Sequence, residues 1–213
     1  MLSRNSLPVW LLMPALLLPA CRVSINQSVF VAENSIHSGS INTINGNIIV
    51  GKNAVVKGDC RTINGNIIIY GGASVQQAMS VNGQIVVQNG ARIEGNVEAV
   101  NGPIRIGGDV DVMGSVTSMN GIIELRRSFV EEDIRSYRAN ISLLAGSRVR
   151  GDIMIEKSRA AKRHRRLIKI VLQNGSVVEG DIRINDRAAK VKVYIDADSA
   201  VKGSVEGAVV ISS

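Results

Sequence analysis

The chain has 213 residues, with 25 Lys and Arg against 18 Asp and Glu, for a formal net charge of +7; 45% of it is hydrophobic and only 3% aromatic. That length buries a core without disulfide staples, and the apolar fraction excludes a disordered basic tail. So few rings leave no stacking platform for single-stranded nucleic acid, so no nucleic-acid partner is expected.

Residues 1–20 read as a bacterial export signal. Arg4 is the lone charge of a short basic region, and Leu7 to Leu18 form an apolar stretch interrupted by Pro8 and Pro14. A membrane-spanning helix needs roughly 20 apolar residues, so this stretch is too short to span. It ends in Leu18-Pro19-Ala20-Cys21, which resembles a lipobox and departs from it at Pro19. The resemblance implies that Cys21 is lipidated and becomes the mature N-terminus, with 21–24 as a tether. Arg22 stands where an Asp tends to mean inner-membrane retention. The expected location is therefore the cell envelope, on the outer membrane facing the periplasm. Cys60, the other thiol, falls in a core-facing phase and reads as a small hydrophobe.

Internal repeats come next, because they decide the fold. Asn-Gly recurs at Asn45, Asn64, Asn82, Asn101 and Asn120 with steps of 19, 18, 19 and 19, and Asn26 lies one further step upstream. A second marker keeps a different phase, as in Val56-Lys57-Gly58-Asp59, Val149-Arg150-Gly151-Asp152 and Val178-Glu179-Gly180-Asp181. Between the markers, apolar residues alternate in pairs: Ile85/Val87, Ala91/Ile93, Val97/Ala99, then Ile104/Ile106, Val110/Val112 and Val116/Ser118. Alternation at period two is the strand pattern. Three pairs per 18–19 residues make a triangular coil, and stacked coils make a single-stranded parallel β-helix. This all-β solenoid is expected over residues 25–213, with about nine coils and a length of roughly 40 to 45 Å. Right-handed crossovers are the general rule. The Asn side chains are expected to stack as a structural turn ladder, and each following Gly to take up positive φ at the corner.

These units resemble the bactofilins, polymer-forming β-helical cytoskeletal proteins of bacteria, over residues 25–211. The resemblance implies a triangular right-handed helix and a capacity to polymerise. Bactofilins are cytoplasmic, so the export signal sets this chain apart from a cytoskeletal role.

Three segments depart from the repeat. In residues 126–138, a 19-residue step would point Glu131 and Arg135 into the core. A bulged or locally helical turn is expected to send them to solvent, with a ligand patch on Tyr137 as the alternative. The step from Gly151 to Gly180 is 29 residues and contains a basic insertion at 157–169, with Lys157, Arg159, Lys162, Arg163, Arg165, Arg166 and Lys169 and no acid. Arg4 lies in the leader, so the rest of the mature chain has 17 bases against 18 acids. The charge is thus concentrated in one loop, suited to anionic lipid, lipopolysaccharide or acidic glycan. The third departure is a polar loop, Asn185 to Lys190, in the 23-residue step to Gly203.

Catalysis finds little support. His37 and His164 are 127 residues apart, the hexapeptide signature of solenoid acyltransferases is poorly kept, and Asp109/Asp111 and Asp196/Asp198 read as exposed strand faces. No Cys/His metal spacing, phosphate loop or Ser/His/Asp set is present, and no cofactor is expected. The expectation is a non-enzymatic, lipid-anchored scaffold that associates end to end through its apolar C-terminal edge. A glycan-binding or carbohydrate-active β-helix is the alternative.

Overall fold

The computed structural model describes residues 23–157 and 167–212. The lipobox with Cys21, and Arg159, Lys162, Arg163, Arg165 and Arg166 of the insertion, lie outside the described residues.

The described chain is all-β and winds into a parallel solenoid with three faces. The first face begins with Val23–Ile25 and Ile41–Ile44 and ends with Val205–Glu206. The second begins with Val29–Val31 and Ile48–Val50 and ends with Val209–Ser212. The third begins with Ile36–Ser38 and ends with Ala200–Val201. Two long strands, Val55–Thr62 and Ser74–Ser80, turn the corner from third to first face and join these into one 17-stranded sheet; the second face is a separate sheet of ten strands. Ten rungs at the parallel spacing give a rod of about 43 Å.

Alternation dictates which side chains enter. On the second face Ile48, Ile67, Ile85, Ile104, Ile123, Ile141 and Ile170 stack as register partners in one buried column. On the third face Val56, Val75, Ile93, Val112, Val130 and Val149 do the same. β-Branched residues suit this pleated, close-packed axis. Cys60 belongs to the inner column of the first face, between Ile41 and Ala78. His37 points inward as the partner of Val56 and stays partly open because it sits on the first rung.

Several expectations change. The rod has ten rungs rather than about nine, since nine corners of the Val-x-Gly type separate ten first-face strands. Val23 and Ser24, expected in a tether, belong to the first strand. Residues 126–138 contain no bulge or helix and form a regular coil: Val130 pairs with Val149, and Ile134 with both Val116 and Ile153. The step from Val112 to Val130 is 18 residues, one shorter than assumed, so the inward phase falls on Val130 and Ile134. Glu131 and Arg135 therefore face outward, where they pair with Arg150 and Asp133. Within the basic insertion, Leu167 to Lys169 belong to the strand Leu167–Leu172, which pairs along its length with Lys190–Ile195.

Candidate functional site

The corner between first and second faces holds the Asn ladder. Each amide nitrogen donates to the carboxamide oxygen one rung below: Asn45 to Asn26 (2.8 Å), Asn64 to Asn45 (2.6 Å), Asn82 to Asn64 (2.7 Å), Asn101 to Asn82 (2.7 Å) and Asn120 to Asn101 (2.8 Å). The glycines beside the ladder have a different reason from the one expected. Positive φ occurs at Asn26 and Asn45, and at none of Gly46, Gly65, Gly83, Gly102 or Gly121. Instead these glycines stack so closely that a Cβ on Gly65, Gly83 or Gly102 would lie 1.9 Å from the carbonyl oxygen of the glycine below. Buried hydroxyls satisfy those carbonyls from inside, with Thr62 donating to Gly46 (2.9 Å) and Ser80 to Gly65 (2.9 Å). Thr43, Thr62, Ser80, Ser118 and Ser136 repeat at this inward position, with Ala99 interrupting the series, and Ser118 and Ser136 donate instead to carbonyls of their own rung, Gly121 and Ala139; this hydroxyl series is a signal that sequence reading missed.

The corner between third and first faces carries acids, and these serve the backbone. The amides of Asp152, Asp181 and Ser204 donate to Asp133, Asp152 and Asp181 at 2.9, 2.8 and 2.7 Å. The Ser204 N–H first, and Arg183 second, hold the Asp181 carboxyl below the usual carboxylate range. Among the described residues no group of three His, Cys, Asp or Glu could hold a metal ion. Asp109 and Asp111 take separate partners: Asp109 binds Arg127, and Asp111 meets Arg92.

The third face presents charges of alternating sign around one aromatic ring. Asp111, Phe129 and Arg148 are outward register partners on successive rungs. At the neighbouring corner Arg127 adopts φ +44°, a conformation costly for a residue with Cβ. Its guanidinium grips Asp109 with two bonds, of 3.0 and 3.1 Å. Together with Ser128 these residues line a shallow open groove of about 530 Å³. Ser128 is 5% exposed, and its Oγ has no hydrogen-bond partner among the described residues. Tyr137, the aromatic expected to anchor a patch, sits half-buried at the Asn-ladder corner instead, its amide bonded to the Ser118 carbonyl.

Of the basic insertion, the structure places Lys157 and Lys169 on the same corner as the Asn ladder, both exposed. Lys169 and Lys192 are register partners on adjacent strands. Cys60 is fully buried, and burial pushes its thiol up to about 12, so it stays protonated and unreactive at neutral pH. No helix among the described residues is long and apolar enough to cross a membrane. The chain matches no protein-family model, no curated protein and no solved structure.

Proposed function

We propose that the protein is a non-enzymatic scaffold of the bacterial envelope, tethered by a lipid on Cys21 and able to associate end to end. The observation that supports this best is a ten-rung stack whose first and last strands have no further partner strand among the described residues. Val23, Ile25, Phe30 and Ile36 are 50–65% exposed at one end, and Val209 and Val210 are 60% and 45% exposed at the other. Strand edges without a partner or polar cap are templates for pairing, and here head and tail have the same triangular outline. Such stacking, together with the lipobox, supports a bactofilin-like polymer-forming module carried outside the cytoplasm. The lipid chains anchor it through the hydrophobic effect on each buried methylene.

Cys21→Ser is expected to move the protein from the membrane fraction to the soluble fraction. The released protein should sediment as species that grow with concentration, and Val209→Lys should suppress that growth. A wild type found in the soluble fraction would remove the anchor, and a concentration-independent monomer would remove the stacking.

The groove at Phe129 favours a second reading, a glycan binder on the same scaffold. An aromatic face flanked by carboxylates and guanidinium groups matches the apolar and hydroxyl faces of a sugar ring. Under that reading, purified envelope polysaccharide retains the wild type and not Phe129→Ala; equal retention of both, or of neither, would count against it.

A further inference from the structure

The Asn-ladder corner changes chemistry along the rod. Immediately before the ladder position stand Ile44, Ile63, Val81, Val100, Met119 and Tyr137, one per rung from the second to the seventh. From Ile63 onward each amide donates to a first-face carbonyl of the rung below, which keeps the column in register. All six are half-buried or exposed, Ile63 at 44% and Met119 at 37%. The ladder beside them is uncharged through Asn120. Arg138 then takes its place, two residues after Ser136 as Asn120 is two after Ser118, its register partner. Lys157 follows, two residues after Ile155, the partner of Ser136. On the second-face side of the same corner, Lys169 stacks on Lys192.

None of Arg138, Lys157, Lys169 and Lys192 has an ion-pair partner among the described residues. By contrast, Arg61, Arg135 and Arg183 on the first face, Arg92 and Arg148 on the third, and Arg127 and Arg150 at the third face's corners are paired with acids. Two acids stand at the same corner: Glu156 accepts from the Asn185 amide, and Asp186, two residues after Ile184, the partner of Ile155, accepts from the Ala188 N–H. No ion pair among the described residues joins either acid to the four cations, and like charges directly opposite on neighbouring strands, as at Lys169 and Lys192, destabilise a sheet.

We propose that this corner is the edge along which the rod lies on an anionic lipid bilayer. The apolar column of rungs two to seven enters the interface, and the cations of rungs seven to nine meet the phosphate headgroups. A soluble polyanion would engage the cations and leave the apolar column in water; a bilayer engages both chemistries on one line. The apolar column also continues onto the first rung, where Ile25 is the register partner of Ile44. The inference rests on the membrane-attached reading and adds to it an orientation.

The test uses the full-length lipidated protein on vesicles of phosphatidylcholine with phosphatidylglycerol. Single cysteines at Ile63→Cys, Met119→Cys and, on the third face, Glu94→Cys are coupled to an environment-sensitive fluorophore. Cys60 stays silent because its buried thiol is protonated. Labels at 63 and 119 are expected to shift to the blue and to be quenched by bromine-labelled acyl chains, whereas the label at 94 is not. Lys169→Gln with Lys192→Gln should reduce that quenching several-fold, as should vesicles of phosphatidylcholine alone. Protein that sediments with vesicles while all three labels behave alike overturns the edge and leaves attachment standing. Protein that stays off anionic vesicles overturns both. A soluble acidic glycan that competes for the lysines while labels 63 and 119 remain in water also overturns the edge, in favour of a polyanion ligand.

Discussion

Replacing Gly83 by alanine is expected to destabilise the protein by about 3–5 kcal/mol, near the upper end of single-residue effects. The added Cβ would lie 1.9 Å from the Gly65 carbonyl oxygen and 2.4 Å from its carbon. Both are backbone atoms in a hydrogen-bonded stack, so no side-chain rotation relieves the clash. The rungs must part at that corner, and the Asn82–Asn64 bond and the Ser80 hydroxyl bond to Gly65 open with them. Gly90→Ala is the control. Gly90 has φ +73°, but its added Cβ would find its nearest neighbour 3.9 Å away. There the expected cost is only the backbone strain of a left-handed residue, about 1 kcal/mol. Urea unfolding followed by circular dichroism separates the two, and equal losses would refute close approach as the reason for glycine in the Asn-Gly pairs.

That contrast also marks where sequence reading stops. The repeat period, the inward pairs and the stacked Asn are written in the chain, because a parallel solenoid places like residues on like at every rung. The role of glycine is ambiguous in one dimension: the same Asn-Gly dipeptide suits a positive-φ turn or a backbone contact under 3 Å, and spacing does not distinguish them. At 126–138 the charges reach solvent as expected, but through a regular coil rather than a bulge or helical turn, for a related reason. A one-residue deletion at the Arg127 corner moves the inward phase from Glu131 to Val130, and alternation alone does not locate a deletion inside a corner. The basic edge was half legible. Residues 157–169 stand out as a run, but Arg138 and Lys192 lie 19 residues before Lys157 and 23 after Lys169, and only the rung register brings the four to one corner.

The second large effect is expected at Ile123→Ala. Ile123 is 1% exposed and stacks between Ile104 and Ile141, both fully buried. Truncation leaves a cavity that the flanking rungs do not fill, since each is held at the sheet spacing by its own hydrogen bonds; a cost of about 2–5 kcal/mol follows. Val210→Ala on the terminal strand removes comparable atoms from a side chain that is 45% exposed, and should cost less than about 1 kcal/mol. The distribution of the loss is as informative as its size. In a solenoid each rung contacts only its neighbours, so stability is close to a sum of rung and interface contributions. Amide hydrogen exchange in Ile123→Ala should therefore accelerate first in Ile104–Ile106 and Ile141–Leu144, the strands on either side, while strands several rungs away remain protected. Acceleration of equal size in every strand would mean that the rod opens as one cooperative unit. The rung-by-rung description, and with it the expectation that an added copy could extend the stack at its ends, would then have to be given up.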